Sequence, residues 1–272
     1  MEIFLDSADL NEITELSNAG IIDGVTTNPS LIKSAFEKIK KRDVKVNFEI
    51  YIKQILETLG GGKSVSLEVV SSDFEGMMKE AVTLYKKFNK VAKNVAIKIP
   101  INPSPSREVS FEGLRVIRAL SENSIPVNCT LVMTPEQSLL AAKAGAVMIS
   151  PFAGRVDDLI REKNKIKFKK EEYFPTEGIK RGRKILDDNG INSGVNLVSL
   201  CVQLKKNYGF KAKILAASVR NARQVREMAL IGADILTLPY NVIKDLLFHE
   251  KTFEGMIKFN QDVVQEYSDL MK

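Results

Sequence analysis

Residues 94–100 read NVAIKIP, an apolar run of strand-forming residues broken only by Lys98. Such a run has no polar face, so its strand must be covered on both sides, as strands are in a parallel sheet. Short β-like runs lie upstream at 3–5, 22–26 and 65–69, and downstream at 127–132, 147–149, 214–216 and 235–238. Together they make eight. The segments between them carry helical apolar periodicity at 8–19, 29–40, 46–59, 74–89, 111–123, 135–144 and 222–231, with further helices near 242–248 and at 253–271. Eight strand–helix units in 272 residues predict an α/β fold, a single TIM (β/α)8 barrel domain over 1–272. The rival is an open doubly wound sheet, and no GxGxxG turn follows the first strand to support it.

One connection stands out. Residues 156–194 lengthen the sixth βα crossover, with helical patterns resuming at 176–188 and 195–206, and read as a surface elaboration. Its Lys163, Lys165, Lys167, Lys169 and Lys170 could track a phosphate backbone, but Glu162, Glu171 and Glu172 interleave with them, so a solvated mixed-charge surface is expected.

Composition narrows the function classes. No apolar stretch is long enough for a membrane span. Glu2, Asp6 and Asp9 stand where a signal peptide would need basic residues, so a cytoplasmic protein is expected. Two cysteines, Cys129 and Cys201, give no disulfide framework and read as reduced structural thiols. His249 is the sole histidine, which points away from a poly-histidine metal site and from Ser-His-Asp chemistry. The net charge of +6 suits acidic small molecules and nucleic acid alike.

Barrel strands should be apolar throughout, so a polar residue at a strand's C-terminal end needs a reason. Nearly every strand here has one: Asp6, Asn28, Glu68, Lys98, Asn128 with Thr130, Ser150 just before Phe152 and Arg155, and Ser218 with Arg220. In a TIM barrel these ends converge on the catalytic face. A lysine in an apolar strand can supply the neutral amine that attacks a carbonyl, although a structural ion pair with a carboxylate is the alternative. Asp6 and Glu68, on strands 1 and 3 flanking that of Lys98, could divide proton-transfer roles. For Asp6 alone, capping the helix that begins near residue 8 is the favoured reading. Asn28 before Pro29 resembles a helix N-cap. Asn128 and Thr130 could equally satisfy backbone groups near their loop. Arg155, Ser218 and Arg220 read together as an anion pocket suited to a phosphate, each arginine alone being more often a surface ion-pair partner.

Taken in order, FLDSAD, GVTTNPSLI, SLEV, AIKIP, NCTLVMT, SPFAGRVDD and LAASVRN resemble the transaldolase family, in the small branch that includes the fructose-6-phosphate aldolases. The resemblance covers nearly the whole chain. It implies a cofactor-free class I enzyme of the pentose phosphate pathway, moving a dihydroxyacetone unit from sedoheptulose 7-phosphate to glyceraldehyde 3-phosphate to give erythrose 4-phosphate and fructose 6-phosphate. By the same resemblance, Lys98 forms the Schiff base, Asp6 handles the C4 hydroxyl proton, and Glu68 with Thr130 and a water shuttles protons. Asn28, Asn128 and Ser150 hold the dihydroxyacetone hydroxyls, while Arg155, Ser218 and Arg220 bind the phosphate. The family's free-standing aldolases resemble this pattern with Gln and Tyr where this chain has Glu68 and Phe152, so transfer is expected over a lyase that releases free dihydroxyacetone. From another class, a basic barrel that binds nucleic acid is the remaining alternative. Residues 102–109 and 156–194 depart from the small branch as additions. The helix at 253–271 resembles the segment that packs on a neighbouring subunit, with closure of its own barrel as the alternative; a homo-oligomer is expected, with sugar phosphates and neither nucleic acid nor membrane as partners.

Overall fold

The computed structural model describes residues 1–40, 47–106 and 108–271. Its strands are β1 (Glu2–Asp6), β2 (Gly24–Thr26), β3 (Ser64–Glu68), β4 (Val95–Pro100), β5 (Val127–Val132), β6 (Met148–Pro151), β7 (Lys180–Arg181), β8 (Lys184–Ile185), β9 (Lys213–Ala216) and β10 (Ile235–Leu238). Eight of them close a parallel barrel in the order β1-β10-β9-β6-β5-β4-β3-β2, the predicted architecture. β7 and β8 pair only with each other, as an antiparallel hairpin in the long connection between β6 and β9.

Alternation along the strands sorts the core into two bodies. Phe4, Ala96, Met148, Leu215, Ala217 and Ile235 pack together inside the barrel, with Phe152 against them. Their chain neighbours Leu5, Val95, Ile97, Ile149, Ile214, Ala216 and Leu236 face the other way and meet the helices. Gly24 belongs to the inner set, and a Cβ there would lie 2.5 Å from the Phe4 ring, so the missing side chain is the space that ring occupies. Each large apolar residue buried this way contributes roughly 1.5–3 kcal/mol, which is why these runs set the fold.

Local chemistry sets where the helices begin. α1 (Leu10–Asn18) starts at Asp9, whose carboxylate accepts from Asn11 N, and α2 (Pro29–Lys40) starts at Asn28, whose Oδ1 accepts from Leu31 N at 2.9 Å. α3 (Phe48–Leu59), α4 (Phe74–Ala92), α5 (Glu112–Glu122) and α6 (Pro135–Ala144) follow, then α7 (Ala153–Lys163), α8 (Gly194–Tyr208) and α9 (Ala222–Leu230). α10 (Tyr240–Asp245), α11 (Glu250–Gln261) and α12 (Gln265–Asp269) close the chain. Residue 46, the expected start of the third helix, lies outside the described residues.

Four expectations need correction. The predicted helix at 176–188 is the β7–β8 hairpin, because Gly178 (φ 83°) and Gly182 (φ 63°) take left-handed conformations that a helix cannot use. The helix at 253–271 is broken into α11 and α12 at Val263 and Val264, the latter extended at φ −84° and ψ 151°. α7 was not expected from the sequence. Finally, 156–194 is more than a surface elaboration. Arg161 is buried between the rings of Phe168 and Phe174 and donates to the carbonyls of Glu172 and Tyr173, while Tyr173 donates to Glu227 of α9 at 2.8 Å. The segment is thereby moored to the helix that follows β9.

Candidate active site

The inward-facing positions change character along the barrel axis. Phe4, Ala96, Met148 and Ile235 line its lower part, and two residues later along β1, β4 and β6 stand Asp6, Lys98 and Ser150. Thr130 and Thr237 occupy the corresponding upper positions of β5 and β10. These side chains, with Thr26, Asn28, Phe152, Arg155 and Ser218, line a cavity of about 160 Å³ at the C-terminal ends of the strands.

Lys98 is buried, 5% exposed, yet its Nζ is not left bare. It lies 3.1 Å from Glu68 Oε2 and donates to the Thr27 carbonyl at 3.1 Å. The ion-pair alternative weighed from the sequence is therefore present, and the carboxylate stands within reach of a proton from Nζ. Glu68 and Lys98 are level on adjacent strands, as are Lys98 and Asn128. Glu68 does not line the 160 Å³ cavity itself; it borders a separate one of about 520 Å³, between β3 and the helices α2 and α3.

Asp6 differs from expectation in two ways. It does not cap α1, since Asp9 does, and its strand does not flank that of Lys98, for β1 lies between β10 and β2. Its carboxylate instead accepts from Thr26 Oγ1 at 2.7 Å, and Thr26 Oγ1 lies 2.5 Å from Thr237 Oγ1. Burial raises the Asp6 carboxyl above the ordinary carboxylate range; the Thr26 hydrogen bond and the Lys98 charge pull the other way and only partly offset it. Asn28 does serve as the α2 cap and lines the cavity as well.

Asn128 Nδ2 donates to Ser66 Oγ at 3.2 Å, and Ser150 Oγ donates to Asn128 Oδ1 at 2.7 Å, a buried polar chain across β3, β5 and β6. Thr130 is different. Its Oγ1 is buried at the cavity wall with no hydrogen-bond partner among the described residues.

Arg155, Ser218 and Arg220, read from the sequence as an anion pocket, follow neighbouring strands, because β6 pairs with β9. Arg155 is exposed, with its guanidinium 5.2 Å from the centroid of the Phe152 ring. Ser218 holds φ 60°, a left-handed turn, and its carbonyl accepts from Gly154 N and from Arg220 Nε. A Cβ on Gly154 would lie 2.3 Å from that carbonyl, so the two loops approach as closely as glycine permits. Arg220 is also bound to Asp158 at 2.7 Å and does not line the cavity.

The profile of the Transaldolase/Fructose-6-phosphate aldolase family matches residues 3–271. The chain belongs to that family. It is 39% identical over 263 residues to a probable transaldolase of Thermoplasma acidophilum, covering 96% of this chain and 95% of the relative. To a probable transaldolase of Petrotoga mobilis it is 38% identical over 272 residues, 100% of this chain and 98% of the relative. A third, from Sulfurihydrogenibium, is 40% identical over 262 residues, 96% of each chain. The family and these relatives agree with the transferase reading drawn from the motifs, and among the described residues no helix is long and apolar enough to cross a membrane.

Some site members were not singled out from the sequence. Thr26 and Thr237 line the cavity, Thr26 holds Asp6 and is itself bonded to Thr237, Thr27 offers its carbonyl to Lys98, and Asp158 binds Arg220. The period of two was the available signal for Thr26, which stands two residues before Asn28 on an inward face. Nothing local marked Asp158.

Proposed function

We propose that this protein is a transaldolase working through a Schiff base on Lys98. The observation that carries the reading is a buried lysine amine facing the cavity with a carboxylate 3.1 Å away, inside a family whose relatives bear that name. Nζ, having passed its proton to Glu68, attacks the keto carbon of a ketose phosphate such as sedoheptulose 7-phosphate or fructose 6-phosphate. Loss of water from the carbinolamine gives the iminium, with Glu68 and the Thr130 hydroxyl moving protons. Asp6 then takes the C4 hydroxyl proton, the C3–C4 bond breaks, and its electrons enter the iminium to leave an enamine and a free aldose phosphate. Addition of the enamine to glyceraldehyde 3-phosphate reverses these steps, with Asp6 returning the proton. Burial of Asp6 suits this exchange, since a carboxyl raised above its usual range holds the proton between cleavage and addition.

Asn28, Asn128 and Ser150 are assigned to the dihydroxyacetone hydroxyls and Arg155, Ser218 and Arg220 to the phosphate. The reaction needs no cofactor. We further place the enzyme in the cytoplasm and in the pentose phosphate pathway, as a homo-oligomer joined through its C-terminal helices. Phe253, Met256, Ile257 and Phe259 are all exposed there and no residue of α11 or α12 is buried, which supports that assembly. Nucleic acid is not assigned as a partner, because the basic run is partly neutralised, as by the Lys163–Asp188 ion pair.

Borohydride reduction during turnover of fructose 6-phosphate should add donor-derived mass to the peptide containing Lys98, and Lys98→Arg should abolish both trapping and activity. Trapping at another lysine refutes the assignment. Free dihydroxyacetone released without acceptor, as fast as transfer with one, would place the enzyme with the aldolases.

A further inference from the structure

Asp157, on the inner face of α7, is 2% exposed and belongs to no step described above. Its Oδ1 accepts from Gly194 N at 2.6 Å and its Oδ2 from Gln224 Nε2 at 2.9 Å. The other end of the same amide, Gln224 Oε1, accepts from the backbone N–H of Arg220 at 2.9 Å. A relay thus runs from a buried carboxylate, through one amide, to the turn that carries Ser218 and Arg220. Asp158, the next residue of α7, holds the Arg220 guanidinium.

The geometry points to Asp157 and Gln224 as positioning residues for phosphate recognition. The Asp157 carboxylate fixes which way the Gln224 amide faces, and the amide fixes the Ser218–Arg220 turn. This rests on the phosphate role given to Arg155, Ser218 and Arg220.

Direction is what the relay transmits. With Asp157 ionised both its oxygens accept, so Gln224 presents its NH2 toward α7 and its carbonyl faces the Arg220 N–H. Were the amide reversed, NH2 would oppose N–H and the turn would lose its anchor. Burial pushes the Asp157 carboxyl up to about 7; the Gly194 hydrogen bond, the Arg161 charge and the Gln224 bond act to lower it, while Asp158 raises it. Holding a carboxylate in so dry a place is unfavourable, and a neutral side chain would fill the same volume at less cost. A directional role accounts for it. Gly194 adds a constraint, since a Cβ there would lie 2.3 Å from the Ala153 carbonyl, so α7 and α8 meet backbone to backbone at this point.

The test reverses the polarity of the pair. Asp157→Asn retains an acceptor for Gly194 N but sets an NH2 against that of Gln224. The KM for fructose 6-phosphate and the inhibition constant of inorganic phosphate should each rise about five- to tenfold, the effect of one lost hydrogen bond, with kcat unchanged within about twofold. Adding Gln224→Glu should restore both, because its carboxylate accepts from the amide introduced at position 157 and from Arg220 N. Gln224→Met, which deletes the amide and keeps Asp157, carries the same expectation as Asp157→Asn and replaces it should that variant not fold. A lowered melting temperature with unchanged KM and inhibition constant, or a double variant as weak as the single, overturns the inference. Arg220→Ala is the control. If it raises both constants while Asp157→Asn and Gln224→Met raise neither, this inference alone fails; if it raises neither, the phosphate reading and the inference fall together.

Discussion

Two buried threonines of the same barrel should respond in opposite ways to the same substitution. Thr130 Oγ1 is buried with no partner among the described residues, whereas Thr26 Oγ1 is bonded to Asp6 at 2.7 Å and to Thr237 at 2.5 Å. Val has nearly the shape of Thr, so Thr→Val replaces the hydroxyl with a methyl and changes little else. At position 130 this removes a polar atom whose unmet desolvation costs about 1–3 kcal/mol. With half of that recovered, Thr130→Val should stabilise the fold by about 1 kcal/mol and raise Tm by roughly 2–4 °C. At position 26 the change removes a bond to a carboxylate, worth about 1.5–3 kcal/mol, so Tm should fall by at least about 3 °C. Activity should move against stability at position 130. If the hydroxyl transfers protons with Glu68, kcat/KM for fructose 6-phosphate with an aldose phosphate acceptor should drop by about 100-fold or more. Calorimetric melts and coupled assays on the same preparations decide the matter. A Thr130→Val that is both less stable and fully active would show that the hydroxyl has a structural partner and no chemical role.

Phe152→Tyr should raise the release of free dihydroxyacetone from fructose 6-phosphate relative to transfer, because a phenol hydroxyl at the cavity wall can protonate the enamine; an unchanged product ratio refutes control by this ring. For Asp6 the acidic limb of the rate profile should lie above the ordinary carboxylate range, since burial raises its folded-state value, and Asp6→Asn should remove that limb with most of the activity. The stability sign follows from the same shift. The folded state holds the Asp6 proton more tightly than the unfolded chain, so its contribution is full below the unfolded value and is lost as pH rises through the folded one. Asp6→Asn should therefore be more stabilising near about pH 8 than near about pH 4, and equal melting shifts at both would contradict the burial argument.

The barrel and the identity of its polar rim are legible in the residues alone. A both-sides-apolar run such as VAIKIP can exist only inside a layered parallel sheet, and eight such runs spaced by amphipathic helices leave few alternatives. Lys98, Glu68, Asn128 and Ser150 could be named because each breaks a run whose burial demands apolar residues. Local rules were less secure wherever a distant contact intervened. Gly154 weakens a helix in isolation, yet α7 forms across it, and glycine stands there because the Ser218 carbonyl leaves no room for a side chain. The glycines at 178 and 182 mark the opposite outcome, where backbone handedness overrides an apparent helical period. Partners, by contrast, were set by the closed fold. Strand order brought Asp6 beside Thr26 and Glu68 beside Lys98, burial without a partner distinguished Thr130 from Thr26, and Asp157 came to steer Gln224 from 67 residues away. A hydrogen bond or a desolvated carboxylate depends on what closes around it, and barrel closure is a long-range event that no window of sequence contains.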